Sequence, residues 1–159
     1  TKLKNLKRLS LIQIGLEQND SIKFLDSLEF LEELDMSEND FRKDEGQFMS
    51  YSKNLQILKL KKCNFKFIER RFFNFRELIH LDLSHNKLQQ INDRMIFSNL
   101  VIQCLNLSHN NIAEFNIKNT LINVLDLSFN NLKNLENEFL RPKYVIVNNN
   151  LITKIKIVD

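Results

Sequence analysis

Three histidines are the residues of this chain best suited to bind a metal or to respond to pH. His85 and His109 each lie at the centre of a Ser-His-Asn tripeptide, and His80 precedes the first of them. Two imidazoles held side by side could share a divalent cation, with Asp82 nearby. The tripeptide, however, recurs as part of a longer repeated pattern, which accounts for both histidines without a ligand. We therefore expect no metal site.

The cysteines and carboxylates form no recognisable catalytic pattern. Cys63 and Cys104 belong to neither a Cys-x-x-Cys nor a Cys/His zinc spacing, and they leave the redox compartment open. No Gly-rich phosphate loop, nucleophile elbow or zinc-protease motif occurs. The acidic residues are spread along the chain as on a solvated face. The sequence predicts no catalytic residue and no cofactor, and the protein is not expected to be an enzyme.

Composition favours one folded domain without a nucleic-acid or membrane partner. The 159 residues are 43% hydrophobic, with only two Gly and one Pro to form a linker. Basic and acidic residues are interspersed and nearly balanced, 23 against 20. This balance gives no charge-based reason to predict nucleic-acid binding. No apolar run approaches the roughly 18 residues that span a bilayer, so we expect no membrane contact in this segment.

One apolar pattern recurs along the whole chain. The stretch LIHLDLSHNKL (78–88) returns as IQCLNLSHNNI (102–112) and INVLDLSFNNL (122–132). Looser copies occupy 6–16, 31–41, 55–65 and 142–152. A fixed period of about 20 to 29 residues with this spacing predicts a solenoid of stacked repeats. We expect a single domain over 1–159 with seven repeats. Because the chain begins inside the pattern, we expect it to be a fragment without terminal caps.

Each repeat should contribute one strand to a parallel sheet, in an α/β fold. The x-Leu-x-Leu segments alternate, so their leucines should point inward. Long crossovers turning the same way predict a right-handed coil with the sheet on its concave side. Short helices, 3₁₀ turns or extended segments should line the convex side. Since the last repeats are only 20 residues apart, we expect extended crossings and a change of curvature near residue 112.

A polar position inside the pattern predicts a buried hydrogen-bonded ladder. Its asparagines can satisfy backbone groups where each strand ends. Cys63 can replace asparagine as a weak donor, whereas Ile14 cannot, so the first repeat should be irregular or lie near a boundary. The predicted ladder residues are Asn39, Asn86, Asn110, Asn130 and Asn150.

Apolar residues beyond the pattern predict a packed convex side. Ile68, Ile91, Phe115, Leu135 and Ile155 recur three positions past each core, and longer repeats add apolar residues at every third position. That spacing favours 3₁₀ or α-helical turns. We interpret the thirteen phenylalanines, including Phe72, Phe75, Phe97 and Phe139, as a packing spine rather than an aromatic ligand site.

The segments LDLSHNKL, LNLSHNNI and LDLSFNNL resemble those of animal extracellular leucine-rich repeat proteins. The 23- to 25-residue repeats with a phenylalanine resemble Toll-like receptor ectodomains, and the mixture with 20-residue repeats resembles insect leucine-rich repeat immune proteins. The resemblance implies recognition of macromolecules on the solenoid surface and no catalytic residues. It also implies cysteine-rich terminal caps, which this chain lacks.

The outward positions of the strands define the candidate ligand surface. In its N-terminal half, charges on neighbouring strands could pair: Arg8–Glu33, Asp35–Lys59, Lys59–Asp82 and Glu38–Lys62. The C-terminal half loses charge and gains exposed apolar residues, so we predict protein binding there. The candidate ligand residues are Lys59, His80, Asp82, His85, His109, Val124, Asp126, Phe129, Tyr144 and Ile146.

Two Asn-x-Ser sequons, at Asn19 and Asn106, are candidate glycosylation sites. Asn19 should lie in a loop, whereas Asn106 should lie in the middle of the sheet. Our first functional hypothesis is a recognition module of an extracellular innate-immunity-type receptor or secreted immune protein, at the cell surface or outside it. The alternatives are a cytosolic scaffold or adaptor that docks a partner enzyme, and a cell-surface adhesion protein. The partner should be another protein, and self-association through exposed surface is a further alternative.

Overall fold

The computed structural model describes residues 3–16, 24–25, 27–41, 54–68, 75, 77–92, 101–117, 121–137 and 142–157. The strands within these ranges are, in chain order, β1 (Arg8–Ser10), β2 (Glu33–Asp35), β3 (Ile57–Lys59), β4 (His80–Asp82), β5 (Gln90–Asn92), β6 (Val101–Asn106), β7 (Glu114–Asn116), β8 (Leu121–Asp126), β9 (Asn134–Asn137), β10 (Tyr144–Ile146) and β11 (Lys154–Ile157).

One parallel sheet of seven strands organises the described residues, in the order β1-β2-β3-β4-β6-β8-β10. The central residue of each strand pairs with its counterpart on the next, as in Leu34 with Leu58 and Leu105 with Leu125. This is the register that the repeat spacing predicts. The predicted solenoid with a parallel sheet is therefore confirmed. The number of repeats and the change of curvature near residue 112 stay predictions.

The inner face of the sheet forms the core. The central residues from Leu34 to Leu125 are at most 2% exposed, and the flanking pattern residues Leu60, Leu83, Leu107 and Leu127 are fully buried. Each such side chain contributes roughly 1.5–3 kcal/mol through burial. Alternation explains why this face is apolar and the opposite one is not, because successive strand residues point to opposite sides.

The predicted extended crossings are confirmed in the 20-residue repeats. Strand β7 contains buried Phe115 and pairs with β5, and β9 pairs with β11 in a second two-stranded sheet. In these two small sheets, the residues that recur three positions past each core pair in register: Ile91 with Phe115, and Leu135 with Ile155. Strands β6 and β8 have six residues, against three in β1 to β4.

The convex side differs in part from the prediction. A 3₁₀ turn includes Phe24, Leu25 and Ser27, but the described residues contain no α-helix, so the α component of the predicted class is not seen there. Phe41, Phe65, Phe75 and Phe115 are buried. Phe24, Phe30, Phe67 and Phe129 are 43%, 53%, 51% and 46% exposed, so the predicted phenylalanine spine is wrong for these four. Phe72, Phe97 and Phe139 lie outside the described residues.

Asparagine side chains connect successive repeats through buried hydrogen bonds. The Oδ1 of Asn86 accepts the backbone N–H groups of Cys63 and Phe65, at 3.0 and 3.1 Å. Its Nδ2 donates to the carbonyls of Leu60 and Leu83, both at 2.9 Å. Asn39, Asn110, Asn130 and Asn150 bond in the same way, each to the preceding repeat and to its own turn. Each ladder asparagine thus satisfies groups that would otherwise be buried without partners.

The two positions without asparagine behave differently. Cys63 is fully buried, and its Sγ donates to the carbonyls of Met36 (3.4 Å) and Lys61 (3.5 Å). Ile14 is 56% exposed, and its backbone N–H donates to Oδ1 of Asn39 in the next repeat. The cysteine therefore keeps part of the ladder, whereas the isoleucine side chain turns outward.

Candidate recognition surface

The outward residues of the main sheet form two in-register columns, and the turn residues that follow the strands form a third. We call these columns together the sheet face. Strand register places Lys59, Asp82, Asn106, Asp126 and Ile146 in the first column and His80, Cys104, Val124 and Tyr144 in the second. The third contains Gln13, Glu38, Lys62, His85, His109, Phe129 and Asn149. The structure therefore brings all ten predicted ligand residues onto one surface.

Ion pairs occupy the N-terminal half of the sheet face. Arg8 Nε lies 3.5 Å from Glu33, and Lys62 Nζ lies 3.0 Å from Glu38. Lys59 pairs diagonally with Glu33 at 2.9 Å, rather than with Asp35 or Asp82. This hydrogen bond lowers the pKa of Glu33 and raises the pKa of Lys59. Two of the four predicted pairs are confirmed, and the two predicted for Lys59 are wrong.

The aspartates of the first column close turns within the chain. The Oδ1 atoms of Asp35, Asp82 and Asp126 accept the backbone N–H of the serine two residues later, at 2.8–3.0 Å. Asn106 makes the same bond to Ser108 at 3.0 Å. These side chains close the turn after each strand. Sequence reasoning missed this role, although the Asp/Asn-x-Ser spacing recurs in four repeats and could have revealed it.

The third column has an unusual backbone that sequence reasoning also missed. All seven of its residues adopt the left-handed conformation, with φ between 52° and 62°. Asparagine tolerates this region, whereas a bulky side chain such as Phe129 is uncommon there. Identical backbone geometry places consecutive side chains above one another. Accordingly the rings of His85 and His109 stack at a centroid distance of 4.1 Å, and those of His109 and Phe129 at 4.2 Å.

The histidine stack does not form a metal site. Both pairs of rings are nearly parallel, with interplanar angles of 9°. Ring nitrogens in parallel planes direct their lone pairs side by side instead of toward a common point. No group of three or more ligand residues that could hold a metal occurs among the described residues. Burial, followed by the charges of neighbouring histidine and lysines, lowers the pKa of His85.

The C-terminal half of the sheet face carries exposed aromatic and aliphatic side chains. Tyr144 is 68% exposed, Phe129 is 46% exposed and Ile146 is 39% exposed. Val124, half-buried, lies beside Tyr144 in the second column. We call these four residues, with His109, the aromatic patch. Its composition matches that of protein interfaces, which are enriched in aromatic residues and depleted of charge at their centre.

An open depression of about 270 Å³ lies between the two halves. Its walls combine the Glu33–Lys59 pair with Ile57, Cys104 and Asp82. Pockets for small molecules usually measure about 300–1,000 Å³ and enclose their ligand. The depression is smaller than that range and suits one side chain of a partner.

The thiols have no activating surroundings. Both cysteines are free, Cys63 in the core and Cys104 half-buried on the sheet face. Burial raises the pKa of Cys63 to about 12. Burial, together with the charges of Asp82 and Asp126, raises the pKa of Cys104 as well. Reactive cysteines need the opposite, a lowered pKa in an electropositive setting.

The sequon at Asn106 has a structural explanation. Ser108 is 7% exposed, and its Oγ donates to Oδ1 of Asn106 at 2.8 Å. Ser128 donates to Asp126 in the same way at 2.7 Å. Asn106-Leu107-Ser108 is therefore one copy of the turn-closing element. Asn19 lies outside the described residues.

Comparison with known proteins agrees with the repeat geometry. Residues 53–112, which include strands β3 to β6, match the family described as leucine rich repeat. These residues are leucine-rich repeats. No curated protein matches the chain. Leucine-rich repeat solenoids typically serve as non-catalytic scaffolds for protein–protein interaction. No helix in the described ranges is long and apolar enough to cross a bilayer.

Proposed function

We propose that this chain is a non-catalytic protein-recognition module that contacts its partner through the aromatic patch. The observation that carries the proposal is the contrast between the N-terminal and C-terminal halves of the sheet face. Charged side chains of the N-terminal half are engaged in ion pairs, whereas Phe129, Tyr144 and Ile146 expose apolar area. Binding energy at interfaces comes mainly from a few such aromatic anchors.

Backbone conformation supports a recognition role for Phe129. Its φ of 55° disfavours a bulky residue, and its ring is 46% exposed, so neither local conformation nor burial favours phenylalanine there. Asn149 adopts the same φ at the equivalent position of the next repeat. The same conformation recurs at all seven positions of the third column, so the bulky aromatic ring is what distinguishes Phe129. A bulky residue retained in a strained conformation supports a hypothesis of function there. We infer that Phe129 serves binding rather than folding.

We further propose that the module belongs to an extracellular innate-immunity-type receptor or secreted immune protein. Support comes from the repeat segments that resemble those proteins and from the sequon at Asn19. Peptide mapping of the native protein should find a glycan on Asn19. An unmodified Asn19 together with a cytosolic location would support the scaffold or adaptor alternative instead.

The binding proposal can be tested with short peptides displayed on phage and selected on the immobilised chain. Phe129→Asn and Tyr144→Thr should each weaken binding of the selected peptides roughly tenfold or more. Phe129→Asn should leave the thermal midpoint nearly unchanged, since relief of backbone strain offsets the lost ring stack. Phe67→Ala is the matched control, because Phe67 is 51% exposed but lies outside the sheet face. Equal losses in the control, or no loss in the two patch variants, would contradict the proposal.

A further inference from the structure

Two carboxylates in the central and C-terminal parts of the sheet face, Asp82 and Asp126, have no ion-pair partner in the described part of the chain. Three other acidic residues, Glu32, Glu33 and Glu38, form ion pairs at this face or its border. Each of the two aspartates uses Oδ1 to accept a serine N–H, at 2.8 Å for Asp82 and 2.9 Å for Asp126. A carboxylate has two oxygens and about four acceptor sites, so both retain capacity for a further donor.

These carboxylates lie where a partner bound to the aromatic patch would cover them. Asp126 pairs in register with Ile146 and adjoins Val124 along its own strand. Asn106 separates it from Asp82, which also lines the open depression. Lys59 lines the same depression, where it pairs with Glu33 at 2.9 Å and also interacts with the charge of Asp82. The contact region therefore combines apolar area with two carboxylates that form no ion pair.

Covering these charges has a cost that depends on the partner. An apolar or acidic partner would desolvate both carboxylates without replacing their contacts with water, which opposes binding. An arginine or lysine supplies charge-assisted hydrogen bonds in place of that water. Electrostatic complementarity of this kind selects among partners more than it raises affinity.

We propose that the partner presents a basic and apolar segment to this surface. An arginine or lysine faces Asp82 or Asp126, and a neighbouring aliphatic or aromatic side chain contacts Phe129 and Tyr144. The proposal rests on the proposed function, and it adds the chemical class of the partner.

The repeat itself supplies conservative variants for the test. Asn106 makes the same turn-closing bond as the aspartates, so Asp82→Asn and Asp126→Asn remove charge while keeping the hydrogen bond. Asp35→Asn is the matched control, since Asp35 also accepts a serine N–H (3.0 Å) but lies in the N-terminal half. All three variants should keep the circular dichroism spectrum and thermal midpoint of the wild type.

The experiment uses the phage-selected peptides as probes. We expect them to be enriched in arginine or lysine beside an apolar residue, with binding that weakens as salt rises. The double variant Asp82→Asn/Asp126→Asn should bind them roughly tenfold more weakly, and Asp35→Asn should bind as the wild type does.

The outcomes separate this inference from the proposed function. Neutral or acidic peptides that still depend on Phe129 would overturn only the basic-partner inference, as would unchanged binding to the double variant. Selection of no peptide, or of peptides independent of Phe129 and Tyr144, would overturn both.

Discussion

The two halves of the sheet face share one backbone but use it differently. Glu33, Lys59 and Lys62 in the N-terminal half are engaged in ion pairs between strands. The equivalent positions toward the C-terminus hold Val124, Asp126 and Phe129, of which Phe129 stacks on His109. The comparison shows that register alone does not decide the character of a repeat surface. Side chains at equivalent positions either satisfy one another or remain available to a partner.

The largest expected effect is a loss of stability when the asparagine ladder is broken. The ladder also differs between the halves, because Cys63 replaces an asparagine in the N-terminal half. Asn110→Ala leaves the buried N–H of Leu88 without its partner and removes one of the two asparagine donors to the carbonyls of Leu83 and Leu107. We expect a loss of about 3 kcal/mol in the free energy of unfolding, measured by urea denaturation.

Cys63→Ala is the companion variant in the N-terminal half. It removes only the weak Sγ bonds to Met36 and Lys61, so the expected loss is about 1 kcal/mol. Equal losses for the two variants would mean that cysteine and asparagine stabilise the ladder equally, contrary to the geometry.

A smaller effect should follow from breaking the central ion pair. Lys59→Met removes the closer of the two partners of Glu33, which keeps Arg8 at 3.5 Å. The side chain of Glu33 is only 24% exposed, but that of Lys59 is 42% exposed. Solvent screening keeps the expected loss below about 1 kcal/mol. Thermal melts at low and high salt should show that the wild-type advantage shrinks as salt rises.

The ion pair also sets the pH ranges over which Glu33 and Lys59 contribute to folding stability. Because the pKa of Glu33 is lowered in the folded state, its contribution is present above the usual value of 4.5 and is lost as pH falls through the folded pKa. The pKa of Lys59 is raised, so its contribution is present below 10.5 and is lost as pH rises through the folded pKa. Melts of Lys59→Met should lack the alkaline dependence and show a weaker acid dependence, because Arg8 still faces Glu33. Unchanged dependences would point to other groups.

The smallest effect concerns the histidine stack, which lies between the two halves. The folded pKa of His85 is lowered by burial, His109, Lys61 and Lys62, and Asp82 opposes this shift. The unfolded state therefore binds more protons, so stability falls as pH drops through 6.5 toward the folded value. After solvent screening the change should stay below about 0.5 kcal/mol.

Thermal melts between pH 7.5 and 5 should show this decline in the wild type and a weaker one in His85→Gln. Nuclear magnetic resonance titration of the Phe129 ring signals provides an independent check, because protonation of His85 should perturb the stack that ends in Phe129. Ring signals that do not move across this pH range would show that His85 titrates without affecting the patch.

The repeat pattern predicted most of the scaffold. Leu81 and Asn86 recur at fixed intervals, and parallel strands in register convert equal sequence position into spatial adjacency. The candidate surface followed from the same rule. The pattern failed for Phe24, Phe30 and Phe67, because it does not specify which phenylalanines of the crossovers face the core.

Sequence by itself determined which residues of different repeats become neighbours, since the period fixes strand register. Only the tertiary structure decided what those neighbours do. Serine N–H groups engage Asp35 and Asp82, whereas Lys59 pairs diagonally with Glu33. The left-handed turn aligns His85, His109 and Phe129 into a stack. Torsion angles and local hydrogen bonds set these contacts, and neither is encoded in the spacing of leucines.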